Sequence, residues 1–202
     1  MTVEGNTRDR FEVLLTDLGE HPERSDEIVA DIERTFCQNR AVMVMDMCGF
    51  SRTTAEYGII TFLMMIHQMR RVASPVVQEY GGIVVRAEAD NVWCLFDEVP
   101  RALEATRDIA RRLESANIAL PAEREMLVST GIGFGSVINI EDHDFYGDEV
   151  NRAGKLGEDL AEPREILLTE AARAQLADDE GPFEERTVTV SGLELTYYAV
   201  RP

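Results

Sequence analysis

Apolar positions along this chain fall into short continuous runs and helical stripes that alternate from end to end. The most continuous run is Ala41-Val-Met-Val-Met45, too short for a helix and followed closely by a glycine turn. It predicts a buried central strand that ends at Asp46. A carboxylate there is costly to desolvate and calls for a cation or a hydrogen-bond network. Beyond it, Gly49 allows a tight turn, and Ser51 is placed to cap a helix running into Thr53-Thr54-Ala55-Glu56. Free N–H groups and the positive end of the helix dipole make this a place where a metal ion and a phosphate can meet. A helix cap beside a loop carboxylate is the plainer reading of the same residues.

The other runs complete an α+β pattern. Phe11, Leu14, Leu15 and Leu18, then Ile28, Ile32 and Phe36, predict two short amphipathic helices in residues 1–38, packing against the domain or a second copy of it. Tyr57 to Tyr80 is apolar on more than one face, through Ile59, Ile60, Phe62, Leu63, Ile66, Met69 and Val72. That breadth predicts a helix buried on several sides, broken or restarted at Pro75 and ended by Gly81-Gly82. Residues 82–96 predict a β-hairpin with its tip near Ala89-Asp90-Asn91, and Arg86, Glu88 and Asp90 on one face if the strand persists. An exposed polar face, or an Arg86–Glu88 salt bridge, would also account for those charges. A helix follows from Pro100 to Asn117, then strand material from Leu127 to Ile140 and a polar loop feeding a helix with Asn151 and Lys155 on one face. A strand at Glu165–Thr169, a helix at Glu170–Leu176 and a closing hairpin end the chain. Hairpins interrupt the strand–helix alternation, which indicates α+β with a mixed or antiparallel sheet.

Charge narrows the function. Among 202 residues, 38 acidic against 20 basic give a formal net charge of −18, which disfavours nucleic acid and anionic membrane surfaces as partners. A polyanionic ligand would then need divalent cations or a locally basic pocket. Cys37, Cys48 and Cys94 lack metal-ligand spacing and read as free thiols of a reducing cytoplasm. No run approaches the length of a membrane span and the N-terminus has no signal-peptide core, so a soluble, unprocessed protein is expected.

Three motifs, in order, resemble the catalytic domain of class III nucleotidyl cyclases, over about residues 40–178. Asp46-Met-Cys-Gly-Phe-Ser51 is similar to the family's first metal-binding aspartate followed by Gly-Phe-Ser/Thr. Gly81-Gly82 with Arg86-Ala-Glu-Ala-Asp90 and Phe96 is similar to the segment that holds the second metal aspartate, with the base-reading residue four positions before it. Asp144-Phe-Tyr-Gly147, Val150-Asn151 and Lys155 resemble the base-reading aspartate, the Val-Asn pair and the cation four residues after the asparagine.

The resemblance implies a ferredoxin-like βαββαβ core within a catalytic domain over residues 39–202, and the two helices of residues 1–38 then form an N-terminal helical appendage to it. It implies a homodimer in which the metal aspartates of one subunit meet the base and transition-state residues of the other. Two divalent cations, Mg²⁺ or Mn²⁺, would sit on Asp46 and Asp90, and backbone N–H groups near Gly49, Phe50 and Ser51 would hold the β- and γ-phosphates. Arg86 and Asp144 would read the base, Asn151 would orient the ribose, and Lys155 would meet charge on the α-phosphate. The product would be a 3′,5′-cyclic nucleotide.

Three positions depart from the family pattern: Lys155 stands where arginine is usual, Arg86 where lysine or glutamate is usual, and Ala89 where glycine is usual. Arg86 with Asp144 offers a donor and an acceptor, which suits adenine, while the length of arginine also suits a pyrimidine. ATP is the expected substrate, with UTP, CTP or GTP as alternatives. The competing reading is a cyclase-like module that binds nucleotide or only dimerises; a GGDEF-type diguanylate cyclase finds no matching motif.

Overall fold

The computed structural model describes residues 5–121, 124–190 and 192–200, without the side chains of Ser51, Val190 and Leu193. Its centre is β1 (Cys37–Met47), whose Ala41–Met45 are fully buried. Two antiparallel neighbours flank it: β3 (Asn91–Phe96) and β4 (Val128–Ile140). β2 (Ile83–Glu88) completes the hairpin with β3, so the strands run β2-β3-β1-β4, the order of a βαββαβ core. The sheet continues through β6 (Ile166–Thr169), parallel to β4, and then β8 (Leu193–Val200) and β7 (Phe183–Val190), making it mixed. A short β5 (Asp144–Tyr146) pairs with the far end of β4.

Helices cover both faces of this sheet. α3 (Phe50–Tyr57), α4 (Ile59–Glu79) and α5 (Val99–Asn117) follow the βαββαβ order, with Ala102, Leu103, Ala105, Ile109 and Leu113 of α5 buried in the main core beside Met43, Met45 and Phe96. α4 closes with Gly81 at φ 78°, Gly81 N–H donating to Gln78 C=O and Gly82 N–H to Val77 C=O, the paired bonds of a Schellman end. On the other face, α6 (Asp148–Gly154) lies against three alternate glycines of β4. A Cβ on Gly133 would come within 2.8 Å of the Glu149 C=O, and one on Gly135 within 2.9 Å of Glu149 Cγ; one on Gly131 would meet the Ala153 C=O. The helix backbone therefore comes close to the strand at Gly131 and Gly133, and the Glu149 side chain fills the space beside Gly133 and Gly135. α7 (Glu170–Arg173) follows β6.

The N-terminal helices, α1 (Arg8–Glu20) and α2 (Ser25–Phe36), bury Phe11, Ile28, Ile32 and Phe36 against Ile140 of β4. Leu15, read as part of that stripe, is 47% exposed, because it falls on the outer side of α1.

Three further expectations need correction. α3 starts at Phe50 with Gly49, at φ 94°, in the cap position, so Ser51 lies inside the first turn and does not cap the helix. α4 runs through Pro75 unbroken; full burial of Ala73, Val76 and Val77 around it offsets the ~3 kcal/mol that an interior proline costs. The same helix is not buried on several sides, since Ile59, Ile60 and Leu63 are 45%, 75% and 51% exposed. Beyond Gly154 the helix passes into a π-helical turn at Lys155–Leu160, but Lys155 keeps αR geometry and its N–H bonds to the Asn151 C=O, so Asn151 and Lys155 lie one α-helical turn apart as their spacing predicts.

Candidate active site

The strand registers gather the predicted carboxylates. Asp46 stands opposite Asn91 on one side and Ser129 on the other. The two-residue turn before Asn91 places Asp90 beside it, and the Met47 N–H donates to the Asp90 C=O at 3.3 Å. Burial, then the negative charges of Asp90 and Glu158, push the Asp46 carboxyl up to about 7 despite the Met47 N–H, which acts the other way. Glu158, in the π-turn, is itself raised by partial burial and by Asp159 and Asp90, and it accepts from Asn91 Nδ2 at 2.6 Å.

A half-buried group of hard oxygen donors carrying surplus negative charge fits Mg²⁺ or Mn²⁺. Among the described residues no set of three or more His, Cys, Asp and Glu is arranged to hold a metal ion. Asp46 and Asp90 alone would leave most of a coordination shell to phosphate oxygens and water.

Next to Asp46, the chain turns through Cys48 and Gly49 into α3. The Thr53 N–H is the first to bond back, to the Gly49 C=O at 3.0 Å, so the N–H groups of Phe50, Ser51 and Arg52 have no partner within the helix. Cys48, Gly49, Arg52, Thr53, Glu125 and Leu127 line a cleft of about 340 Å³ here. The Phe50 ring meets Phe62 edge-on at 4.9 Å, which ties the start of α3 to α4.

The two base-reading candidates have different partners. The Arg86 guanidinium lies 5.1 Å from the Trp93 ring centre and 5.9 Å from that of Phe145, and its Nε is buried without an acceptor. Asp144 and Tyr146 share one face of β5, while Phe145 faces the other way into Arg86 and Trp93. Asp144 accepts from Arg8 Nη2 and Tyr146 Oη, at 2.9 Å and 2.7 Å. Burial raises its carboxyl, but the hydrogen bonds from Tyr146, Arg8 and the Phe145 N–H, with the charge of Arg8, outweigh it and hold the group below its ordinary value. Among the described residues no ion pair joins Arg86 to Asp144, or Arg86 to Glu88.

Asn151 is exposed on α6, and Lys155 Nζ is 2.7 Å from Asp159 Oδ2. The π-turn that begins at Lys155 is pressed onto β1 and β4, where a Cβ on Gly157 would lie 2.5 Å from the Val44 C=O and 2.8 Å from the Gly131 N, and at the end of α6 a Cβ on Gly154 would lie 2.7 Å from the Trp93 ring of β3. Glu149, 7% exposed beneath α6, accepts from the Phe134 N–H, Thr169 Oγ1 and Arg152 Nη1, locking the helix to the sheet.

Sequence reasoning missed Arg8, Trp93, Phe145, Glu149 and Glu158. For Glu158, its place three residues after Lys155 was the only signal. Trp93 and Phe145 looked like ordinary strand residues, and nothing in the chain marks Arg8.

No family model matches the chain. Over 130 residues, 64% of its length, the chain is 27% identical to a protein of Rhizobium meliloti (strain 1021) named "Putative adenylate cyclase 3", and it spans only 22% of that relative. The adenylate/guanylate cyclase/hydrolase from Silicibacter pomeroyi superposes with a TM-score of 0.66 at 23% identity, covering 82% of this chain and 98% of that one. A bacterial light-regulated adenylyl cyclase superposes with a TM-score of 0.71 at 17% identity over 94% of this chain and 63% of its own, a coverage too high to leave out α1 and α2. The fold is that of adenylate and guanylate cyclase catalytic domains. Over those 130 residues the chain is thus similar in sequence to a protein named a putative adenylate cyclase, and it is similar in fold to adenylate and guanylate cyclase structures. Among the described residues, no helix is long and apolar enough to cross a membrane.

Proposed function

We propose that this chain converts ATP to 3′,5′-cyclic AMP and pyrophosphate at the interface of a homodimer. The observation that carries the reading is the placement of Asp46 and Asp90 side by side at one end of the β1–β3 ladder, beside the open first turn of α3. In the reaction the ribose 3′-oxygen forms a bond to the α-phosphorus, the bond from that phosphorus to the bridging oxygen breaks, and pyrophosphate departs. The 3′-hydroxyl proton is lost to solvent. Divalent cations held by Asp46 and Asp90 would supply acidification of that hydroxyl and neutralisation of phosphate charge.

The chain's own groups do the rest. N–H groups of Phe50 and Ser51, at the open end of α3, hold the β- and γ-phosphates. Asn151 orients the ribose. Lys155 stabilises charge that grows on the α-phosphate in the transition state, with Asp159 holding its ammonium in place until substrate arrives. Arg86 donates to the base and Asp144 accepts from it, the pairing that suits the ring nitrogen and amino group of adenine.

A second copy of the chain is the partner. Phe50, Tyr57, Ile59, Ile60 and Leu63 leave an apolar patch along α3 and the first turns of α4, next to the phosphate turn. Each chain carries both halves of the constellation, so an isologous dimer has two equivalent sites.

The test is to incubate the purified protein separately with ATP, GTP, CTP and UTP, with Mg²⁺ or Mn²⁺, and to identify products by mass spectrometry beside Asp46→Ala. Cyclic AMP from ATP alone, absent in the variant, is the expected result. A cyclic product from another nucleotide would move the assignment to that base. No product from any of the four, despite a folded dimer, would make the chain a nucleotide-binding or dimerisation module.

A further inference from the structure

The segment before α1 is stitched to the turn that carries Asp144. Asn6, only 5% exposed, donates from Nδ2 to the Asn139 C=O at 2.9 Å and accepts at Oδ1 from the Glu141 N–H at 3.1 Å. Thr7 caps α1 by accepting from the Arg10 N–H at 3.3 Å. Arg8 then makes two bonds across the turn: its N–H to Glu141 Oε2 at 3.1 Å and its Nη2 to Asp144 Oδ2 at 2.9 Å.

The turn so braced is tight. Glu141 and Asp142 both lie in the left-handed region, at φ 54° and 58°, which aspartate adopts readily and glutamate seldom does. It sets the register of β5 on β4 and therefore the place of Asp144. The carboxylate itself is held from three sides: Oδ2 accepts from Arg8 and from Tyr146 Oη, and Oδ1 from the Phe145 N–H at 3.0 Å. A carboxylate offers about four acceptor directions, so Asp144 is fixed in one orientation with a direction on Oδ1 left for a ligand.

We infer that Arg8 is a positioning residue for base recognition, fixing through Asp144 the acceptor that meets the amino group of the base. The inference rests on the proposed function, in which Asp144 reads the base. It assigns the N-terminal segment a part in substrate choice that no motif in the catalytic domain records.

Binding of 3′-deoxy-ATP and 3′-deoxy-GTP, which lack the attacking hydroxyl, measured by calorimetry with Mg²⁺, tests it. Arg8→Ala is expected to weaken 3′-deoxy-ATP binding by about three- to tenfold and 3′-deoxy-GTP binding less. Arg8→Lys should restore most of the loss, and Arg8→Ala should add nothing in an Asp144→Ala background. The Arg8 side chain is 45% exposed and Asn6 keeps its own bonds, so the variant is expected to fold, which its melting curve checks. Unchanged or tighter binding by Arg8→Ala, or an equal further loss in the Asp144→Ala background, overturns the role of Arg8 alone. Wild-type affinity in Asp144→Ala, or no nucleotide binding by the wild-type chain, overturns the base-reading role and this inference with it.

Discussion

Asp46 and Asp90 meet because Asp46 faces Asn91 across the β1–β3 ladder, which brings the residue before Asn91 into hydrogen-bond contact with the residue after Asp46. Without a cation this arrangement opposes itself. The Asp46 carboxyl titrates at about 7 in the folded chain against an ordinary 3.8. Between those values the folded state binds more protons than the unfolded state, so stability falls as pH rises across the window and levels off above it.

Asp46→Asn should therefore be more stable than the wild type at pH 8 in a chelator. The expected gain is about 1–2 kcal/mol after allowing for solvent screening of a half-buried group, or roughly 3–6 °C in melting temperature. The gain should vanish at pH 4. Added Mn²⁺ should raise the wild-type melting temperature and leave the variant unmoved. A variant less stable than the wild type at pH 8 would contradict the electrostatic account.

Ala89, at the tip of the same hairpin, is at φ 45°, a conformation that glycine adopts without a steric cost. Ala89→Gly should stabilise the fold by about 0.5–1 kcal/mol, the left-handed penalty less the extra entropy of an unfolded glycine. Urea denaturation reads this directly, and an unchanged or lower midpoint would show that the turn is relaxed.

Lys155 offers a point charge where a planar fork is usual in the resembled family. Lys155→Ala is expected to lower kcat by about 10²–10³ with KM altered less than threefold, the signature of a contact made only in the transition state. Lys155→Arg should stay within about tenfold of wild type. A rise in KM with kcat intact would place Lys155 in ground-state binding.

The exposed residues Ile60 and Leu63 supply the test of assembly. Ile60→Asp with Leu63→Asp should leave the monomer folded, since both side chains face solvent in the single chain, and should convert a dimer to a monomer in analytical ultracentrifugation. Activity should fall with it. A dimer that persists would move the interface elsewhere.

What the sequence revealed depended on how local each signal was. The strand at Ala41–Met45, the hairpin around Ala89-Asp90 and α5 were legible because apolar period and turn residues act over a few positions. Pro75 misled because a local rule met a fully packed core that overrode it. Ile59, Ile60 and Leu63 misled because apolar character was read as burial within one chain. The π-turn at Lys155 and the Arg8–Asp144 pair were invisible for a different reason: both depend on contacts between segments far apart in the chain.

The glycines at 131, 133 and 135 let α6 approach β4 so closely that an added methyl group at any of them would collide with it. Strand and helix are clamped further by Glu149, whose bonds reach β4, β6 and α6 together. The helix and the Asp46 strand thus travel as one casting within a subunit. In the dimer proposed above, the gap between one copy's Asn151 and the other's Asp46 would then depend on how the two rigid pieces dock and not on movement of α6 within either one.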